Sequence, residues 1–306
     1  MTSGSSTSRF SSTPQPPCAS AEWDFNGITV ASKLYDPFDI AIDSENNVIV
    51  GDTENHRLQK YFNNGTNITL FTGTKALSVF IDRFDTIYVA DQFLDEVKVL
   101  NSNGELITTI DGSNITGSFY NSFTLSTQSG LYVDKNNSLY ISDVGHDRVV
   151  KYYLELGYGI VIAGEHGAGS ALNQLNGPYG LYVDEIKEIG AVYICDHQNH
   201  RIQKWLSGAK EGITVAFNDE KLRAPISILL QPTADQTIMF ISSFDSEQVF
   251  KWIPYRISEH MGTESDRLSS PRGIKFDQYW NLYVADTGNN RVQKFLFNTS
   301  SCEYIA

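Results

Sequence analysis

A chain of 306 residues, 41% of them hydrophobic, can bury roughly 75% of the surface its unfolded form exposes, so a core needs neither metals nor many disulfides. Its 23 Lys and Arg stand against 36 Asp and Glu, a net charge of −13, and the basic residues are scattered, which argues against binding a phosphate backbone. No apolar run reaches the roughly 18 residues of a membrane-spanning helix.

Met1 to Pro17 is Ser, Thr and Gly with three prolines and one aromatic residue. It reads as a flexible linker or stalk, with residues 18–306 as the folded domain. It lacks the charged start and apolar middle of a secretory signal. The chain is therefore either intracellular or part of a longer one with an export signal upstream.

From about residue 23 onward the sequence repeats. Tyr283-Val284-Ala285-Asp286-Thr287-Gly288-Asn289-Asn290-Arg291-Val292-Gln293-Lys294-Phe295 has close counterparts at Ile49 to Tyr61 and Tyr193 to Trp205. Weaker copies run from Tyr88, Tyr140 and Phe240. An anchor Asp recurs at Asp52, Asp91, Asp143, Asp196 and Asp286, with Ser243 in its place in the fifth copy, at spacings of 39 to 53 residues. Six units of that size match four-stranded propeller blades. Within each, an alternating run such as Gly180-Leu181-Tyr182-Val183-Asp184 leads through a polar turn to a short strand ending at the anchor. A second turn and a third strand follow, and period-two alternation bounded by Asn, Asp and Gly predicts antiparallel strands. Fourth strands are legible at Gly159 to Gly164 and Gly212 to Phe217.

These residues resemble the NHL repeat, whose strand-Asp-turn-Arg hairpin is strong in the first, fourth and sixth units and clear in the third. In the second and fifth units Glu96 and Gln248 replace the Arg. The resemblance implies an all-β fold, a closed six-bladed propeller. The last unit stops after its third strand, whereas Gly27 to Ser32 carries a fourth-strand pattern ahead of the first unit. The N-terminal strand is therefore expected to complete the last blade and remove an open edge.

Cys195 lies inside a strand and reads as a buried, inert thiol. Cys18 and Cys302 flank the two strands expected to pair, so a disulfide between them is expected to staple the ring. Asn64, Asn67, Asn114, Asn136 and Asn298 each begin Asn-x-Ser/Thr, all in predicted turns or linkers open to glycosylation. Together they favour an extracellular or cell-surface setting, with a cytoplasmic one as the alternative.

Hairpin turns and inter-blade links share one face of a propeller, and loops on a rigid scaffold are the usual place for binding. The candidates there are Glu54, His56, Phe93, His146 and His166, followed by His197, His200, Phe244, Asn289 and Asn290. Phe93 and Phe244 are the aromatic anchor candidates, with packing between neighbouring blades as the alternative reading of both. The repeated Asp and Arg read as a fold device. His56 and His200 occupy the position that names the repeat and read as turn residues rather than zinc ligands.

The resemblance also reaches enzymes. A peptidyl-hydroxyglycine amidating lyase of similar fold carries zinc histidines directly after a Pro at the start of inner strands. The matching positions here are Phe38, Tyr179 and Arg272. The expected function is therefore a non-catalytic, monomeric module of a larger protein, without a cofactor, binding a protein, peptide or glycan and no nucleic acid. A lyase or lactonase-type hydrolase with an axial calcium or zinc is the alternative.

Overall fold

The computed structural model describes residues 22–24, 26–116, 124–217, 222–232, 237–253, 256–260 and 267–298. The expected stalk and both Cys18 and Cys302 lie outside them. The first strands in the chain are β1 (Glu22–Trp23) and β2 (Ile28–Ala31). Blade 1 then runs β3 (Pro37–Ile42), β4 (Val48–Asp52), β5 (Arg57–Tyr61) and β6 (Asn67–Thr72), and blade 2 runs β7 (Ala76–Ile81), β8 (Ile87–Asp91), β9 (Glu96–Leu100) and β10 (Leu106–Ile110). After the short β11 (Ile115–Thr116), blade 3 comprises β12 (Gln128–Val133), β13 (Ser138–Asp143), β14 (Arg148–Tyr153) and β15 (Tyr158–Ala163). Blade 4 is β16 (Pro178–Asp184), β17 (Ala191–Asp196), β18 (Arg201–Trp205) and β19 (Ile213–Phe217). Blade 5 is β20 (Pro225–Pro232), β21 (Thr237–Ser243), β22 (Gln248–Ile253) and β23 (Arg256–His260), and blade 6 begins with β24 (Pro271–Phe276), β25 (Leu282–Asp286) and β26 (Arg291–Phe295).

The missing strand of blade 6 is β2, antiparallel to β26 with Ile28 opposite Lys294 and Thr29 opposite Gln293. The six sheets thus close into a propeller in the way the strand order predicts. Burial explains why the second strand of each unit is a short apolar run without alternation. All five residues of β4, β8 and β25 are buried, since each lies between two neighbouring blades and both its faces meet apolar surface. The outer strands face the rim, so β10 is exposed at Leu106, Ile107, Thr108 and Thr109.

The glycines that open the inner strands have a packing cause. A Cβ on Gly130 would meet the Tyr179 carbonyl, one on Gly180 the Ile226 carbonyl, and one on Gly273 the Asp39 side chain. Each belongs to the next blade, so the absence of a side chain lets adjacent inner strands approach around the axis.

Two features have no counterpart in the repeat pattern. A two-residue strand β27 (Phe297–Asn298) follows β26 and pairs with β1, which seats Trp23 between blades 5 and 6 against Phe240 and Phe276. Strand β11 adds a fifth, parallel strand to blade 3, with Ile115 opposite Gly159. Asn67 and Asn298 are strand residues, not the turn or linker residues expected, because the outer edge of the ring is itself solvent-facing. All five sequon asparagines are exposed.

Replacing Gly180 with alanine drives a methyl group into backbone of blade 5 and is expected to cost about 1–3 kcal/mol. Denaturant unfolding of Gly180→Ala beside the wild type measures it.

Candidate functional site

The loop face is built on the anchor residue. Asp52 accepts from the Tyr35 N–H at 2.7 Å, from Asn55 at 2.9 Å and from Arg57 Nε at 2.7 Å. Asp196 repeats this with the Asn176 N–H, Asn199 and Arg201, and Asp286 with the Ser269 N–H, Asn289 and Arg291. Asp143 takes the Ser126 N–H and Arg148, with His146 Nδ1 at 3.0 Å in the asparagine's place. One carboxylate therefore joins the incoming link, the hairpin turn and the third strand. These anchor side chains are fully buried, where a charge is tolerable only if paired.

The two eroded units keep the device by other means. In blade 2 Lys98, two residues beyond Glu96, reaches Asp91 and also gives Glu96 a bond of 2.7 Å. Burial alone would raise the Asp91 pKa, but the bonds from Lys98 and from the Phe93 and Lys75 N–H groups outweigh it and hold the carboxyl below its usual range. In blade 5 Ser243 Oγ accepts from the Arg223 N–H at 3.1 Å and donates to the Arg223 carbonyl.

The residue that closes each turn has positive φ: His56, Asp95, Asp147, His200, Glu247 and Asn290, a region in which Asn, Asp and His are enriched. Four of these side chains reach the next blade. Asp95 accepts from the Thr127 N–H, Asp147 from Gly177, His200 Nδ1 from Ala224 and Asn290 from Asp36, at 2.8 to 3.0 Å. His200 and Asn290 are thus ties between blades, and Asn289 and His146 are partners of their own anchors.

The remaining candidates fall in two places. His56 lies under Phe93 with ring centroids 4.8 Å apart, beside the Glu54–Lys75 ion pair at 3.0 Å. Phe93 is 52% exposed and Leu94, which the sequence reading did not single out, is 63% exposed. His197 instead joins an aromatic plug over the axis. Its ring lies tilted against Tyr179 at 4.6 Å, and Tyr179 lies parallel to Phe38 at 6.2 Å. The Arg272 guanidinium sits 4.2 Å from Phe38 and 5.4 Å from Phe244, with Asp36 at 3.0 Å. Phe244 is half-buried against this cluster with Leu77 and Ile226. His166 stands apart, exposed on the link between blades 3 and 4.

Below the plug the axis narrows to a cavity of about 20 Å³, on the order of one water. Asp39 is the one acidic group among its described lining residues. It already accepts from Ser78 Oγ, the Val79 N–H and the Ile40 N–H, with Lys275 Nζ 3.9 Å away. The positions matching the lyase histidines are Phe38, Tyr179 and Arg272, and no three His, Cys, Asp or Glu side chains among the described residues gather to hold a metal. These groups do not fit an axial calcium or zinc. Cys195 is fully buried in β17, and burial pushes its thiol well above the usual range.

A closed ring of six sheets of four or five strands, five of them carrying a buried acidic anchor, defines a six-bladed β-propeller. Residues 34–61 match the profile of the NHL repeat, in the first blade of this propeller. No curated protein matches it. Solved structures of similar fold include a gluconolactonase from Xanthomonas campestris, at TM-score 0.70 and 12% identity over 93% of this chain and 97% of that one. A streptogramin B lyase superposes at TM-score 0.60 with 11% identity over 89% and 97% of the two chains. A chain of a nidogen/laminin complex gives 0.59 with 15% identity over 78% and 83%. At such identities the likeness is one of fold.

Lys98→Met leaves the Asp91 carboxylate buried without its cation and is expected to cost about 3–5 kcal/mol, read by chemical denaturation. Burial, the largest influence, holds the His197 imidazole below its usual range, against the opposing Pro225 carbonyl and Asp245. A folded pKa below the unfolded value of about 6.5 means stability is full above that pH and is lost as the pH falls below it. Melting curves across that window should show a shallower acid loss for His197→Gln than for the wild type.

Proposed function

We propose that this propeller is a non-catalytic binding module that presents its loop face to another protein, with a peptide or glycan as the finer alternatives. The observation that carries the reading is the placement of Phe93 and Leu94. Both stand exposed on the loop face, and the Phe93 ring rests against His56 of the neighbouring blade. Aromatic groups held on a rigid support supply contact area at low entropic cost, as interface anchors do. The aromatic plug fills the axial mouth, so a partner meets a broad surface and not a funnel. One structure of similar fold comes from a nidogen/laminin complex, which supports protein binding as a use of this architecture.

We also propose an extracellular setting, in which the exposed asparagines Asn64, Asn67, Asn114, Asn136 and Asn298 carry glycans and Cys18 bonds to Cys302. Peptide mapping of exported, non-reduced protein tests both assignments. Unmodified asparagines and two free thiols there would remove them.

For the binding reading, the full chain is screened against arrayed ectodomains and glycans. Phe93→Ala with Leu94→Ala should weaken capture about tenfold, the scale of one interface hot spot, at an unchanged melting temperature. Turnover of gluconolactone that depends on added calcium would instead establish the enzyme class.

A further inference from the structure

On the loop face the chain enters each inner strand through a link, and the anchor of the blade being entered takes one of the link's N–H groups. A carboxylate does so for five links, through Asp52, Asp91, Asp143, Asp196 and Asp286. The link into blade 5 is held by the Ser243 hydroxyl instead, which accepts from the Arg223 N–H. Four links gain a second tie from the residue that closes the preceding turn. An aspartate or asparagine in that place accepts equally well from about pH 5 to pH 8, whereas an imidazole titrates within that range. The blade 5 link, already without a carboxylate anchor, has the imidazole, His200.

His200 Nδ1 accepts from the Ala224 N–H at 2.9 Å, so that nitrogen carries no proton and Nε2 holds the hydrogen of a neutral ring. Ala224 sits at φ 48°, in the left-handed region that alanine seldom adopts, and its carbonyl accepts from the Phe244 N–H at 3.1 Å. His197 takes the opposite tautomer, with Nδ1 donating to the Pro225 carbonyl at 3.2 Å. A second proton on His197 leaves that bond intact, whereas one on His200 sets N–H against N–H and ends the tie. Among the described residues, the titratable groups around the pair are Asp196 and Arg201, bound to each other at 2.6 Å, Tyr179 against His197, Arg223 in the link, and Asp245 and Glu247 in the blade 5 turn. Glu247 is paired with Arg267 at 3.0 Å, and Asp245 favours a positive charge at His197.

We propose that His200 is an acid-sensitive latch: at neutral pH it holds the link into blade 5 against blade 4, and on acidification it takes a proton and lets that link go. The closed latch excludes a proton from Nδ1, so the proton binds the open form alone. The latch is therefore fully closed above the pKa of a free imidazole, about 6.5, and weakens as the pH falls below it. The open fraction scales as one plus the proton concentration over that imidazole's acid constant, which gives a rise of about tenfold between pH 7.5 and pH 5.5. The freed segment runs directly into Ile226 and borders Phe244, both in the axial plug. The loop face is thus fixed at neutral pH and loosened in acid, whatever partner it meets.

The test reads hydrogen exchange of the Ala224 amide in the full chain by fragmentation mass spectrometry, corrected for the intrinsic pH dependence of exchange. Protection is expected to fall about tenfold from about pH 7.5 to about pH 5.5, while the Gly177 amide, held by Asp147, keeps its protection within about twofold. His200→Asn supplies the acceptor that Asn290 supplies in blade 6 and should protect Ala224 equally at both pH values. His200→Asp, with the carboxylate that Asp147 uses, should give the same result by a second route, and His197→Gln should keep the wild-type fall. Equal protection of Ala224 at both pH values in the wild type overturns the latch. So does an equal fall at Gly177, a fall that persists in either His200 variant, or its loss in His197→Gln.

Discussion

A carboxylate buried at the end of the second strand is the constraint on which this ring depends. Removed from water, it must be given partners, and those available are the backbone of the incoming link, the turn that follows and a cation from the third strand. Satisfying one charge therefore fixes three segments at once. The substitutions show that the requirement is electrostatic and not tied to one residue. Lys98 serves where Arg is missing, and Ser243 serves where the carboxylate itself is missing, taking over both the donor and the acceptor of the link.

The ties between blades follow from the same turns. A turn that ends with positive φ aims its last side chain at the next link, and a short acceptor there takes that link's free N–H. This places His200 and Asn290 in the frame. Outside this frame, Phe93 and Leu94 are left exposed on the loop face. Glycines let the inner strands crowd the axis, and Phe38, Tyr179, Arg272 and Phe244 close its mouth. The chemistry at the centre is thus packing and cation–π attraction.

Much of this was legible because repetition exposes itself in a single sequence. Six anchors and their alternating strands define the blades, and an unpaired outer-strand pattern at Ile28 announces the closure. The departures at Phe38, Tyr179 and Arg272 were visible as departures, but that they meet one another was not. Lys98 escaped notice because it lies two residues past the expected Arg, and only a folded strand shows that its longer reach returns to Asp91. Phe244, named as an exposed anchor candidate, is half-buried in the plug because Arg272 and Ile226 from other strands lie over it.

By itself the sequence determined the number of blades, the order of strands within each and the segment that closes the ring, because period and pattern are local properties that stacking preserves. Tertiary structure alone decided which gaps between blades take in a segment from outside the repeat. Trp23 and Ile115 come from outside the repeat, and whether such a segment seats itself depends on the shape of two walls from different blades. That shape is a sum over residues far apart in the chain, so no short stretch of sequence contains it.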